Sequence, residues 1–221
     1  MGGIERFSPN GANDVDDAAH TFGSVNFIST VTQPSLEEVA ANSDHAKVFQ
    51  IYVRGDNDWI RDLVRRVVKA RYAAVTLTVD SAFYGNRERL NPAQLALRRV
   101  AARDWQKKIT WGTVKLIQDE IGDIPLLLKG IMTAEDAALA VEHGVNGVYI
   151  SNHGGRQLDH VLGNIQMLPE IIEAVDGKAE VFIDGGFTRG TDIVKALAMG
   201  AKAVGIGRLQ AWALGAGGAD G

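Results

Sequence analysis

Short apolar runs alternate with amphipathic stretches along almost the whole chain. Seven runs, at 25–31, 47–53, 73–80, 124–130, 147–152, 180–184 and 203–207, read as strands. Each is short and rich in Val, Ile and Leu, as strands covered on both faces should be. The stretches between them carry helix signals. Ser35-Leu36-Glu37-Glu38 is a capping box. The span 58–69 puts Trp59, Ile60, Leu63, Val64, Val67 and Val68 on one face. Thr110 precedes a helix carrying Val114, Ile117 and Ile121 and stopped at Gly122, and Thr133 with Asp136 opens another that stops at Gly144. The span 164–175 is the next, with Pro169 its weak point, and Thr191 opens a last helix ending at Gly200, where a left-handed glycine fits.

Two segments, 135–150 and 192–206, repeat one unit: an Ala-rich helix, a glycine, two residues, a small residue, then a strand. Alternation at this pitch implies parallel βα units, which close into a barrel or open into a doubly wound sheet. The polar residues decide between them. They follow every strand: Ser29; Gln50 and Tyr52; Thr78 and Asp80; Lys129; Ser151 to Arg156; Asp184; Arg208. A central site reached from all sides favours a barrel, whose chemistry sits at the C-terminal ends of its strands. The span 82–111 breaks the beat. It is basic, with one helix expected over 92–103, and two readings stand for it: a solvated surface loop or a lid over the site. The Gly/Ala-rich tail, 215–221, reads as a frayed end.

Composition narrows the picture. Net charge is −4, from 23 Lys+Arg and 27 Asp+Glu, which gives no electrostatic case for nucleic acid or an anionic membrane surface. No cysteine is present, so disulfides, thiolate metal sites and cysteine nucleophiles are excluded. No metal site is read in the pattern. The apolar runs are far shorter than a membrane span, and the segment Met1-Gly2-Gly3-Ile4-Glu5-Arg6-Phe7 is no secretory signal. The expectation is a cytoplasmic globular protein, one domain over residues 1–221.

The sharpest chemical signal is Ser151-Asn152-His153-Gly154-Gly155-Arg156-Gln157-Leu158-Asp159, at a strand end. An imidazole there takes a proton, and a guanidinium three residues on holds a carboxylate bidentately. A second signal is Asp184-Gly185-Gly186-Phe187-Thr188-Arg189-Gly190, followed one unit later by Gly205-Ile206-Gly207-Arg208. Glycine N–H groups, arginine and a helix N-terminus after the last two strands are how barrels often hold phosphate. Lys129, after three leucines, is either a Schiff-base nucleophile or a fixed charge beside an anion. Asp80 is placed to pair with an imidazolium, or to serve as a turn residue.

The nonapeptide at 151–159, Leu128-Lys129-Gly130, Thr78-Val79-Asp80 with Arg87-Glu88, Phe49-Gln50-Ile51-Tyr52, Asp184-Gly185-Gly186 and Gly207-Arg208 together resemble the FMN-dependent 2-hydroxy-acid oxidases and dehydrogenases. The resemblance implies a (β/α)8 TIM-type barrel in which strands two to eight are recognisable here and the first strand and last helix are missing. It implies oxidation of an L-2-hydroxy acid to the 2-oxo acid with FMN as cofactor, and a homo-oligomer, a tetramer by analogy. His153 then resembles the base, with Asp80 stabilising its protonated form. Arg156 and Arg87 resemble the clamps on the substrate carboxylate, and Tyr52 a partner of its hydroxyl. Lys129 resembles the charge at the N1/O2 edge of the flavin; Ser29, Gln50, Thr78 and Ser151 resemble contacts to its rings. Asp184, Gly186, Arg189, Gly207 and Arg208 resemble the grip on ribityl and phosphate. Thr188, Leu209, Asn86 and Arg71 depart from the family's pattern; at Arg71, a helix end, glycine is expected. Two rival readings remain: a non-catalytic barrel serving as a binding scaffold, favoured by the missing strand, and a Schiff-base lyase built on Lys129, which leaves His153 and Arg156 without a task.

Overall fold

A computed structural model describes residues 2–86 and 102–221. All seven expected strands form: β1 (Asn26–Ser29), β2 (Lys47–Ile51), β3 (Ala74–Thr78), β4 (Leu126–Ile131), β5 (Gly147–Ile150), β6 (Glu180–Asp184) and β7 (Ala203–Gly205). They pair in parallel and in chain order, β1 through β7, as one sheet. Most are shorter than their apolar runs because the polar residues at the run ends belong to the loops that carry the site. The sheet is curled. The rings of Phe27 in β1 and Tyr149 in β5 meet edge to face with centroids 5.8 Å apart. Four strand spacings in a flat sheet would separate them by roughly 19 Å. The α/β barrel wall is therefore real, and among the described residues β1 and β7 stay unpaired with each other.

Helices cover the outside: α1 (Ala12–Phe22), α2 (Leu36–Asn42), α3 (Asn57–Lys69), α4 (Ala102–Gln106), α5 (Trp111–Ile121), α6 (Ala134–Glu142), α7 (Asn164–Val175), α8 (Gly190–Ala198) and α9 (Arg208–Gly217). The sequence signals explain most of them. Ser35 and Glu38 make the reciprocal capping box of α2, and Asp56 Oδ1 caps α3 by accepting from Trp59 N at 3.0 Å. The buried face of α3 is Ile60, Leu63, Val64 and Val67, each contributing about 1.5–3 kcal/mol of apolar burial. Helix α7 runs through Pro169. Two helices carry no clear signal. α1 has few large apolar residues, and α9 occupies 208–217, where only a glycine-rich, frayed tail over 215–221 was expected. The helix expected over 92–103 falls almost wholly outside the described residues. One apolar core runs from Ile4 to Leu214 beneath this helical layer.

The break at Arg71 is resolved locally. The chain leaves α3 with Arg71 at φ 61°, the left-handed conformation for which glycine is the natural residue.

Candidate active site

Strand register brings the polar ends together on one rim. Ser29 is level with Gln50, Thr78 with Lys129, Lys129 with Tyr149, and Asp184 with Gly205. Ser29 Oγ accepts from Val31 N at 3.2 Å, which turns the chain at the end of β1. Thr30 Oγ1 donates to the Gln50 carbonyl at 3.1 Å and accepts from Tyr52 N at 3.1 Å, fixing the course of the chain just past β2. Thr78 Oγ1 is buried beside the Tyr52 phenol, which it meets as a side-chain hydrogen-bond partner.

Beyond β5 the backbone takes three left-handed residues in succession: His153 (φ 57°), Gly154 (66°) and Gly155 (70°). Two glycines make that run affordable, but at His153 it costs about 1–2 kcal/mol. Side-chain contacts hold it there. His153 N donates to Ser151 Oγ at 3.1 Å, and His153 Nδ1 lies 3.0 and 3.1 Å from the two carboxylate oxygens of Asp80. A carboxylate only accepts, so Nδ1 carries a proton; in the neutral imidazole the lone pair then lies on Nε2. Nε2 faces Tyr52 OH at 3.1 Å. Burial, then the charge of Asp80, pushes the Tyr52 phenol well above its ordinary pKa of 10.0, so it remains a donor. Asp80 owes its position to Gly130, at φ 109° beside a register shift in β4. A Cβ there would lie 2.6 Å from Asp80 Cβ and 2.9 Å from its backbone nitrogen.

Lys129 is buried, 7 % exposed. Its Nζ donates to Ser151 Oγ at 2.8 Å, lies 3.5 Å from Asp184 Oδ2 and sits 5.5 Å from the centroid of the Tyr149 ring. The phenol of Tyr149 is itself raised by burial and by the Asp184 charge. The Lys129 amine thus sits among polar partners, Ser151 Oγ and Asp184 Oδ2, rather than in the apolar surroundings typical of a Schiff-base lysine.

The glycine loops form an open cradle. A Cβ at Gly186 or Gly207 would meet nothing within 4 Å. Arg189 stands at the N-cap of α8, where Asp192 Oδ2 accepts from Thr188 N at 3.1 Å and Arg189 N at 3.0 Å. Those backbone donors hold the Asp192 carboxyl below its usual range. Arg208 opens α9 and donates to the Gly154 carbonyl at 3.1 Å, tying the last loop to the histidine loop.

The structure therefore brings His153, Asp80, Tyr52, Ser151, Lys129 and Asp184 into one connected network. Ser29, Gln50 and Thr78 border it on adjacent strand ends. Arg156 sits exposed on the histidine loop, its carbonyl accepting from Gly85 N at 3.3 Å, and Arg87 lies outside the described residues. Sequence reasoning assigned no role to four participants. Gly130 makes room for Asp80; Asn164 joins Asn152 to Asp184; Asp159 Oδ2 accepts from Asn86 N at 2.6 Å; and Gln157 Nε2 donates to Ser81 Oγ at 3.2 Å. The last two fasten the segment after Asp80 to the histidine loop. Gln157 and Asp159 lie within the 151–159 signal and Gly130 directly follows Lys129, but Asn164 has no local signature.

The residues present fit a flavin mononucleotide: a buried lysine, Lys129, with only one close acceptor at the strand ends, and an open glycine cradle beside arginine.

Comparison with known proteins points the same way. The model of the family described as FMN-dependent dehydrogenase matches residues 1–221. The chain is 41% identical to an L-lactate oxidase of Nostoc sp. over 234 residues, covering 92% of this chain and 64% of the relative. It is 38% identical to human 2-hydroxyacid oxidase 1, covering 89% and 61%, and 38% identical to spinach glycolate oxidase, covering 96% and 64%. The chain thus spans less than two thirds of the length of these curated relatives. Among solved structures, mandelate oxidase with benzoyl-formic acid superposes with a TM-score of 0.89 at 40% identity, covering 100% of this chain and 66% of that one. A mandelate oxidase variant with a monooxide FMN adduct superposes at 0.86 with 39% identity, again over 100% and 66%.

Proposed function

The chain belongs to the FMN-dependent dehydrogenase family, and from that premise we propose that the protein oxidises an L-2-hydroxy acid to the 2-oxo acid. The observation that carries the reading is His153, with Asp80 on Nδ1 and Tyr52 on Nε2. Oxidation removes two electrons and two hydrogens from the HO–C–H unit of the substrate. His153 Nε2 takes up one proton, and Asp80 stabilises the imidazolium that forms. Tyr52, kept protonated, donates to the substrate hydroxyl oxygen. Arg156, with Arg87, anchors the substrate carboxylate and so orients its α-carbon.

Bound FMN would supply the acceptor for the two electrons and the second hydrogen, and oxygen or another oxidant would regenerate it. Lys129 holds positive charge where electrons arrive. Ser29, Gln50, Thr78 and Ser151 offer hydrogen bonds to the ring system. Asp184, Gly186, Arg189, Gly207 and Arg208 hold its ribityl and phosphate. Residues 1–221 act as one FMN-binding domain, with 82–111 an active-site loop or lid region whose near end, Asn86, hydrogen-bonds Asp159 of the histidine loop. By family resemblance alone the reading includes a homo-oligomer, a tetramer, which sedimentation measures; a cytoplasmic location, expected from the sequence, is measured by fractionation. The polar setting of Lys129 favours fixed charge over Schiff-base chemistry.

The test is to load the protein with FMN, remove the excess, and record the visible spectrum before and after anaerobic addition of a panel of L-2-hydroxy acids. A retained flavin band that bleaches with one acid is the expected result. Retained flavin that no 2-hydroxy acid bleaches would refute the proposed chemistry.

A further inference from the structure

The Lys129 ammonium belongs to a closed ring of polar contacts across three strand ends. Lys129 Nζ donates to Ser151 Oγ at 2.8 Å. One peptide bond on, Asn152 N donates to Asn164 Oδ1 at 3.1 Å. Asn164 Nδ2 donates to the Asp184 carbonyl at 2.6 Å and to Asp184 Oδ1 at 3.3 Å. Asp184 Oδ2 returns to Lys129 Nζ at 3.5 Å. Four members, Lys129, Ser151, Asn152 and Asp184, stand at or just past strand ends. Asn164 alone comes from a helix, as the first residue of α7, and it is buried, 4 % exposed. Both ends of its amide are used, one on each loop. Gly185 leaves it room, because a Cβ there would lie 2.7 Å from Asn164 Nδ2.

We propose that Asn164 is a positioning residue for the cofactor's electron affinity. Its amide donor draws charge from the Asp184 carboxylate and keeps that carboxylate at the long 3.5 Å distance from Lys129. The ammonium then keeps its field, and its geometry toward Ser151, for the flavin edge. Without the donor, Asp184 is left with Lys129 as its main partner, the two close on each other, and the field at the flavin falls. The inference rests on the FMN reading above, because the charge has an effect only where a flavin is bound.

The experiment compares the midpoint potential of bound FMN in the wild-type protein, in Asn164→Leu, which keeps the shape and loses both hydrogen bonds, and in Asn164→Asp, which keeps the acceptor for Asn152 N and replaces the donor with negative charge. Urea unfolding of each runs in parallel. A lost hydrogen bond to a charged group corresponds to about a tenfold shift of the oxidised–reduced equilibrium toward the oxidised form, ~30 mV for two electrons. Asn164→Leu is expected to show that fall and Asn164→Asp a larger one. A purely structural role lowers the urea midpoint and leaves the potential of the remaining holoprotein unchanged, and that result overturns the proposal even if only Asn164→Asp folds. Failure of the wild-type protein to take up FMN would instead overturn the functional reading on which it stands.

Discussion

Two lysines lie buried in the wall of this barrel, at opposite ends of its strands. Lys47 opens β2 and is 4 % exposed; Lys129 lies near the end of β4 and is 7 % exposed. Lys47 is saturated. Its Nζ reaches Ser43 O at 2.6 Å, His45 O at 3.0 Å, Ser43 Oγ at 3.1 Å and Asp16 Oδ1 at 3.3 Å. Asp16 is equally committed, its Oδ2 taking Ser43 Oγ at 2.8 Å and Asn42 Nδ2 at 3.1 Å. An ammonium has three protons to give, so this one has none left for a ligand. Lys129 has one close acceptor, Ser151 Oγ, a distant carboxylate and an aromatic face. The same residue type, equally buried, is spent on stability at one end and left with capacity at the other. That matches the division of labour in a barrel, with function at the C-terminal face and stability at the N-terminal face.

Replacing Lys47 breaks the comparison most severely. Lys47→Met leaves Asp16 buried and uncompensated, and urea unfolding is expected to show a loss of about 3–5 kcal/mol. Lys129→Met is expected to destabilise less and to impair flavin reduction instead. Equal losses of stability from the two would contradict the contrast. Next in size is Gly130→Ala, which forces a Cβ against Asp80 and is expected to cost about 1–3 kcal/mol while slowing flavin reduction through a displaced Asp80. An unfolding curve and a reduction rate both matching wild type would show that Asp80 does not depend on that glycine.

A smaller effect concerns pH. Burial raises the phenols of Tyr52, Tyr149 and Tyr72 above the ordinary 10.0, with Asp80, Asp184 and Asp16 respectively adding to it. Below pH 10.0 folded and unfolded chains both keep these protons, so the stabilising contribution is complete. Above it the unfolded chain releases protons that the folded one retains, and stability falls as pH rises. Each phenol contributes about 1.4 kcal/mol per pH unit to that slope. Tyr52→Phe is expected to remove one of the three contributions, read as a shallower loss of stability between pH 10 and 11; an unaltered slope would mean that Tyr52 ionises as freely folded as unfolded. The least effect is at Arg71, where Arg71→Gly relieves a left-handed conformation and is expected to raise stability by about 0.5–1 kcal/mol in thermal melts.

The wall of the barrel was legible in the sequence because strands buried on both faces announce themselves as Val/Ile/Leu runs, and the polar residue ending each run marked the rim. His153, Asp80 and Lys129 could be singled out since each stands next to such a run. Asn164 could not. At the start of α7 an asparagine looks like an ordinary helix-opening residue, and its task appears only when β5 and β6 lie side by side. Asp16 and Lys47 met the same obstacle, being 31 positions apart by number and joined only once α1 packs against α2 and β1. Helix α1 itself escaped because three aspartates, Asp14, Asp16 and Asp17, interrupt any apolar face, and two of them turn inward to polar partners instead of to solvent.

The most direct test of the account is the rate of anaerobic flavin reduction by an L-2-hydroxy acid in wild-type protein against His153→Ala, each with FMN retained. The arrangement of Asp80, His153 and Tyr52 predicts a fall of about 10²–10⁴-fold with the flavin spectrum intact. A variant that bleaches as fast as wild type would mean that His153 is not the base.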